Sequence, residues 1–230
     1  MLVMAKAPVA GQVKTRLGAH VGDAAAAHLA AACVLDTLAV CREVFEDCHV
    51  ALAGDLEAAV QRDALVAALA GWTVHPQRGD GFAERLANAH ADVASAAGAS
   101  VVQIGMDTPH VSGAELTAVA DLVGRGNDAV LGPAEDGGWW VLAVTDPALA
   151  RPLAGVQMST ARTYVDTLAA LRLVGATVAT TAVLRDVDVA PDADHAAEAA
   201  PDSRFAALWR TVRDQGPRSV SYTHLTLPTN

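Results

Sequence analysis

Apolar and polar positions in this chain switch between two periods from one end to the other. LVMAKA (2–7) is a short apolar run that breaks into a Pro/Gly loop, as a strand buried on both faces does. From Asp23 to Val44 the period lengthens to that of a helix, with Leu29, Cys33, Leu38 and Cys41 spaced for one face. HVALAG (49–54) predicts a second strand, residues 56–69 a second helix, and WTVHPQ (72–77) a third, weaker strand. Residues 82–97 read as helix, and SVVQIGMD (100–107) is the clearest strand in the sequence. After a helix over 112–122 come two apolar runs, DAVLGP (128–133) and WWVLAV (139–144), separated by an EDGG turn. A helix over 160–174, a strand ATVATTAVL (176–184) and two alanine-rich helical stretches complete the pattern.

Strands that alternate with helices of this length require crossover connections, hence an α/β fold with a mainly parallel sheet between helical layers. The close pair around EDGG predicts one local departure from parallel order. Neither a repeat nor a linker divides the chain, so one domain is expected over residues 1–215. LVMAKA begins with no polar lead, which predicts that Met1 lies inside the first strand and that the N-terminus is truncated. SYTHLTLPTN (221–230) breaks from the preceding composition and resembles translated adaptor or vector sequence, so residues 216–230 are expected to be a tail outside the domain.

Composition adjusts this picture in three ways. Hydrophobic residues make up 52% of the 230 positions and aromatics 4%, so the core is built from many small contacts of Ala and Val. A net charge of −10 argues against a general nucleic-acid surface but not against a nucleotide, which needs only one local basic loop. Cys33, Cys41 and Cys48 form no CxxC pair and no even-numbered disulfide framework, which fits a reducing compartment. With no uninterrupted apolar run of ~18 residues and no signal-peptide pattern, no membrane span and a cytoplasmic location are expected.

In open α/β sheets ligands bind beyond the carboxyl ends of the strands, so the loops there carry the candidate chemistry. The first, AKAPVAGQVKTRL (5–17), is punctuated by Pro8 and Gly11 and carries Lys6, Lys14 and Arg16. Its backbone N–H groups and cations could hold a diphosphate, with Arg16 bidentate and Lys14 a point charge, or it could be an exposed basic turn. In IGMDTP (104–109) a strand runs into Asp107, which is either a ligand for Mg²⁺ or Mn²⁺ or the cap of the next helix.

In GPAEDGGWWVL (132–142), Asp136 precedes Gly137 and Gly138 in a hairpin-like turn. Trp139 and Trp140 alternate, so one can pack inward while the other lines a cleft. In LRDVDVAPDAD (184–194), Asp186 and Asp188 point to the same side and offer a second carboxylate to a metal, while Asp192 and Asp194 suit the cap of a helix after Pro191. All four could instead form an acidic solvated loop. QRGDGFAERL (77–86) adds Asp80 and Arg85, which are candidate ligand contacts or ordinary surface charges. Among eight histidines only His110 lies close to a candidate residue.

Taken in order, AKAPVAGQVKTRL, QRGDGFAERL, IGMDTP, GPAEDGGWWVL and MSTARTYVDTL resemble the DUF2064 family of GT-A-like glycosyltransferases, whose members are often associated with radical-SAM or arsenosugar biosynthesis. The resemblance runs over about residues 1–200. Similar loops occur in the guanylyltransferases that act on phospholactate and on the molybdenum cofactor. The resemblance implies a single-domain GT-A, three-layer nucleotide-diphospho-sugar transferase-like fold. It assigns Gly11, Lys14 and Arg16 to nucleotide phosphates, Asp107 to a metal, Asp186 and Asp188 to the family's DVD segment, and Asp136, Gly137, Gly138 and Trp139 to its DGG-aromatic segment. The family usually continues DVD with TPxDL, whereas this chain has VAPDAD.

The implied activity is metal-dependent transfer of a sugar from a nucleotide-diphosphate donor to a small acceptor. Asp107, Asp136 and Lys14 would be the catalytic residues, and Asp107 and Asp188 the ligands of Mg²⁺ or Mn²⁺. Lys6, Pro8, Gly11, Lys14, Arg16, Asp80, Arg85, Gly137, Gly138 and Trp139 would contact the nucleotide-sugar. Two alternatives use the same residue types: nucleotidyl transfer from an NTP to a phosphorylated small molecule, and a catalytically silent nucleotide-binding partner.

Overall fold

A computed structural model describes residues 1–97 and 100–215; the tail expected at 216–230 lies outside the described residues. The chain runs β1 (Leu2–Lys6), α1 (Thr15–Val21), α2 (Asp23–Val44), β2 (His49–Ala53), α3 (Arg62–Ala68), β3 (Thr73–Pro76), α4 (Phe82–Ala97), β4 (Val101–Gly105) and α5 (Gly113–Gly124). It continues through β5 (Ala129–Pro133), β6 (Trp139–Val144), α6 (Thr163–Leu173), β7 (Val178–Thr180), α7 (Ala190–Ala199) and α8 (Arg204–Gln215). Two 3₁₀ segments, Leu56–Ala58 and Pro147–Gly155, lie in the connections.

The seven strands form one sheet in the order β3-β2-β1-β4-β6-β5-β7. β6 pairs antiparallel with both β4 and β5, and every other pairing is parallel. This is the departure expected around EDGG. Because β6 runs against the rest, it begins at the edge where the other strands end. Trp139 therefore stands beside the last residues of β1 and β4, where the chain's polar loops converge.

Each sheet face is covered by helices. On one side Val3, Val50, Val102, Ile104 and Val141 pack with residues of α2 and α5. On the other, Leu2, Met4, Val101 and Leu142 pack with α4, with Pro147–Gly155 and with Leu171 of α6. A third cluster joins the outer side of α2 to α7 and α8 through Leu17, Phe205 and Trp209.

This outer cluster changes the reading of α2. Leu29 and Cys33 face α8, whereas Leu38 and Cys41 face the sheet, so the four do not share one face. Sandwiched between two apolar layers, α2 has no polar side of its own. By length and composition it is apolar enough to cross a membrane, but most of it is buried inside the protein. Asp36, on α2, accepts hydrogen bonds from the backbone N–H groups of Arg204 and Phe205 and so fixes the start of α8.

Two predicted elements come out shorter. The helix expected over 56–69 is split, because the Val60 N–H donates to the Pro8 carbonyl and Gln61 takes a left-handed conformation, φ 55°, before α3 starts. The strand expected over 176–184 is reduced to Val178–Thr180, followed by an isolated bridge between Ala134 and Leu184. Beyond Thr180 the chain leaves the sheet edge to approach the loop after β4.

Candidate functional site

Two adjoining cavities open at the carboxyl edge of the sheet, about 370 Å³ and 500 Å³ in volume. They share Lys6, Met106, Asp107, Asp136, Ser159, Thr160 and Asp188. The second is polar and charge-balanced, with Lys6, Lys14 and Arg16 on the side of the β1 loop and Asp107, Asp136 and Asp188 facing them. The first is more apolar, walled by Met4, Phe82, Leu86, Trp139 and Met158, with Gln77, Arg85, Gln103 and Thr163 as polar insertions.

The loop after β1 is bent by Gly11 at φ 74° and then by Lys14, a non-glycine residue in the left-handed region at φ 47°. That bend aims the Lys14 side chain inward. Its ammonium pairs with the Asp107 carboxylate and donates to the Val187 carbonyl, and only 5% of the side chain is exposed. Burial pulls the Lys14 pKa down, but attraction to Asp107 and Asp188 outweighs it, and the net shift is upward. The Cys33 thiol nearby is pushed up by burial and stays neutral. Lys14 thus ties the β1 loop to the β4 loop and the 187 segment, rather than projecting freely toward a phosphate.

Lys6 and Arg16 are the more accessible cations. Lys6 Nζ donates to the Gln12 carbonyl at 2.7 Å and borders both cavities. Arg16 is 75% exposed and meets Asp188 Oδ2 at 3.0 Å.

Asp107 is not a helix cap. α5 is capped by Ser112, whose hydroxyl accepts from the Glu115 N–H while the Glu115 carboxylate accepts from the Ser112 N–H, a reciprocal box. The Asp107 carbonyl accepts from Val187 N–H at 2.9 Å, which brings Asp186 and Asp188 alongside. Asp186 Oδ1 accepts from Thr108 Oγ1 at 2.8 Å, and burial, with Asp107 and Asp136 close by, pushes its carboxyl up to about 6. Asp192 fastens the start of α7 by accepting from the N–H groups of Asp188 and Val189. Asp194 instead accepts from the indole of Trp209 and from Arg213, so the cap expected of it is absent.

At the β5–β6 turn Asp136 Oδ1 accepts from Gly138 N–H at 2.8 Å, which leaves its second oxygen to the cavities. Gly137, at φ 88°, packs so closely on the 159–162 segment that an added Cβ would lie 2.4 Å from the Ala161 carbonyl oxygen. The two tryptophans do face opposite ways: Trp140 joins the α2–α5 side of the core and Trp139 the α4–α6 side. Trp139 is half-buried, its indole N–H on Thr167 Oγ1 at 3.1 Å, and its ring forms part of the first cavity.

Among the residues singled out from sequence, Lys6, Arg85, Asp107, Asp136, Gly138, Trp139 and Asp188 border the first cavity, and Lys14 and Arg16 the second. Pro8, Gly11, Asp80 and Gly137 are not on the walls of either; the first two shape the β1 loop, and Asp80 donates its N–H to Glu84. His110 stacks edge-on against His195, away from both cavities. Gln77, Gln103, Ser159, Thr160 and Thr163 also line the first cavity, with no spacing pattern in the sequence to mark them. Gln77 donates to the carbonyls of Ala5 and Ala51, pinning the ends of β1 and β2. Ser159 holds φ 60°, an unusual conformation at a cavity wall. A lone Gln inside an apolar strand, as Gln103 is, was the signal available.

Asp107 and Asp188 each keep 47% of the side chain exposed on the shared wall. Among the described residues no group of three or more His, Cys, Asp or Glu is disposed to hold a metal ion. Two carboxylates with free oxygens fit an ion such as Mg²⁺ or Mn²⁺ that arrives with substrate phosphates; they do not make a dedicated protein cage.

Comparison with known proteins decides the family. A model of the family described as an uncharacterized protein conserved in bacteria (DUF2064) matches residues 34–160, more than half of the chain. The chain belongs to DUF2064. No curated protein matches this DUF2064 chain. Among solved structures it is similar to a proposed nucleotide-diphospho-sugar transferase from Desulfovibrio desulfuricans, at 25% identity and a TM-score of 0.81, covering 93% of this chain and 96% of the other. It also shares its fold with a cytidylyltransferase from Leptospira borgpetersenii, at 12% identity and TM-score 0.58 over 96% and 97% of the two chains. A 4-diphosphocytidyl-2C-methyl-D-erythritol synthase aligns at 12% and 0.53 over 86% and 97%. The DUF2064 chain therefore has the α/β fold of nucleotide-diphospho-sugar transferases and cytidylyltransferases, with a seven-stranded, mainly parallel mixed sheet.

Proposed function

We propose that this DUF2064 protein is a metal-assisted glycosyltransferase that moves a sugar from a nucleotide-diphosphate donor to a hydroxyl of a small acceptor. The observation that carries the reading is the junction, at Asp107, Asp136 and Asp188, of a more apolar cavity with a polar one that holds Lys6 and Arg16 opposite those carboxylates. The full-length similarity to a proposed nucleotide-diphospho-sugar transferase supports it.

In this reading Lys6 and Arg16 attract the diphosphate, and Lys14 holds Asp107 in place from behind. Asp107 and Asp188 hold the cation, which supplies charge neutralisation to the departing diphosphate. Asp136 receives the acceptor hydroxyl's proton on its free carboxylate oxygen. The bond from the sugar's anomeric carbon to the diphosphate breaks, a bond to the acceptor oxygen forms, and the nucleoside diphosphate leaves with the electron pair. Trp139 offers an aromatic face to a ring in the first cavity.

The test is a panel of nucleotide-sugars with Mn²⁺ and mixed hydroxylated acceptors, followed by release of free nucleoside diphosphate. Acceptor-dependent release supports the reading. Pyrophosphate release from an NTP with a phosphorylated acceptor, and no turnover of nucleotide-sugars, contradicts it in favour of nucleotidyl transfer.

A further inference from the structure

The first cavity has a polar feature that the proposed reaction leaves unused. Gln103, in the middle of β4, points to the α4 side of the sheet and is 2% exposed, yet it forms part of the cavity wall. Its strand neighbours Val101, Val102 and Ile104 are core residues, as a strand covered on both faces requires. Its Oε1 is shut off from solvent and makes no hydrogen bond of normal geometry. The His90 ring of α4 lies close enough for a polar contact, but neither of its nitrogens makes a hydrogen bond of normal geometry. His90 is fully buried, and burial pushes its pKa down to about 4, so the ring is neutral.

Buried carboxamides and imidazoles are nearly always satisfied, and each unmade bond is costly. Gln103 Oε1 and the His90 ring, both sealed from the cavity, are therefore left to each other, and the Gln103 amide nitrogen is the group that the wall offers to a ligand. The surroundings define the ligand. Met4, Leu86, Trp139 and Met158 offer apolar area, while the carboxamide is uncharged and a neutral His90 can give or take a proton in a hydrogen bond.

We infer that the first cavity binds an uncharged ring, and that Gln103, backed by His90, selects it by donating its amide N–H to a neutral hydroxyl, carbonyl or ring nitrogen acceptor. This rests on the nucleotide-sugar reading, in which the phosphates occupy the polar cavity beside Lys6 and Arg16. The ring is then either the nucleobase or the transferred sugar. Gln103 is a specificity residue, and His90 positions it.

The test compares wild type with Gln103→Met, which keeps side-chain length and removes the amide. Binding of inorganic pyrophosphate, of four nucleoside diphosphates and of matching nucleotide-sugars is measured by calorimetry with Mn²⁺. The inference predicts a loss of roughly tenfold or more for the preferred ring-bearing ligand, with pyrophosphate affinity unchanged. Loss already seen with nucleoside diphosphates assigns the ring to the base, and loss confined to nucleotide-sugars assigns it to the sugar. Equal binding by wild type and variant overturns the inference, as does an equal loss for pyrophosphate. Gln103→Asn, which retracts the amide by one methylene, serves the same comparison if Gln103→Met does not fold. If wild type binds no nucleotide at all, the nucleotide-sugar reading itself has failed, and the outcome is distinguishable.

Discussion

The Lys14 ammonium, buried and held in a left-handed backbone bend, is paired with Asp107 across the gap between the β1 and β4 loops. A second bond, to the Val187 carbonyl, brings in the segment that carries Asp186 and Asp188. One side chain thus gathers the three chain segments that supply most of the cleft's carboxylates. Lys14→Met leaves a half-solvated Asp107 and an unpaired carbonyl. It should lower stability by about 1–3 kcal/mol, less than the loss of a fully buried pair, because Asp107 can recruit water. Chemical denaturation reads this directly, and a loss within error would remove Lys14 from its tethering role. The pair's contribution is constant at neutral pH, because its raised pKa places its loss above the ordinary lysine value, 10.5.

Arg16 stands in contrast. It is exposed, and surface ion pairs such as its contact with Asp188 are worth about 0–1 kcal/mol. Arg16→Ala should leave the melting temperature nearly unchanged while weakening pyrophosphate and nucleotide binding about tenfold at low salt. A large stability loss with intact binding would show that Arg16 serves the fold.

Gly137→Ala tests the turn that presents Asp136. A methyl there combines an unfavourable φ of 88° with an approach of 2.4 Å to the Ala161 carbonyl oxygen. The expected cost is about 2 kcal/mol or more, with a loss of activity beyond the loss of folded protein, because the 159–162 segment must shift. Wild-type stability and turnover would contradict the packing described.

His90 predicts an acid dependence. Its native pKa of about 4 lies below the ordinary 6.5, so between these values the unfolded chain binds more protons. The neutral ring's stabilisation is therefore complete above pH 6.5 and is lost as pH falls toward 4, by up to about 3 kcal/mol. His90→Leu should lose less stability than wild type on acidification from pH 7 to 4.5, as read from denaturation midpoints at each pH. Parallel curves would show that His90 is already protonated or exposed.

The alternating periods were enough to read the layers, the antiparallel pair around EDGG and the post-strand location of the site, because burial on a sheet face imposes period and length directly. They were insufficient where tertiary contacts compete. Leu29 and Cys33 are four residues apart and Leu38 and Cys41 three, but the five-residue step between the pairs turns the helix by about 140°, so one pair meets α7 and α8 and the other the sheet. Asp107 was ambiguous until Ser112 and Glu115 proved to cap α5. Lys14 looked like a phosphate cation, since its inward turn depends on a left-handed bend at a residue type that rarely adopts one. Gln103, Ser159 and Thr160 were passed over because single polar residues carry no spacing pattern, and only the folded cavity joins them.

The central claim is that the cleft binds a nucleoside diphosphate through a cation held at Asp107. Thermal shift of wild type and Asp107→Asn with UDP-sugars and GDP-sugars, with and without Mn²⁺, tests it most directly. Saturating ligand at 100-fold over Kd stabilises by about 2.7 kcal/mol. The account predicts a Mn²⁺-dependent rise for at least one nucleotide-sugar in wild type, and loss of that Mn²⁺ dependence in a still-folded Asp107→Asn. An unchanged Mn²⁺-dependent rise in the variant, or no stabilisation of wild type by any nucleotide with metal present, would contradict it.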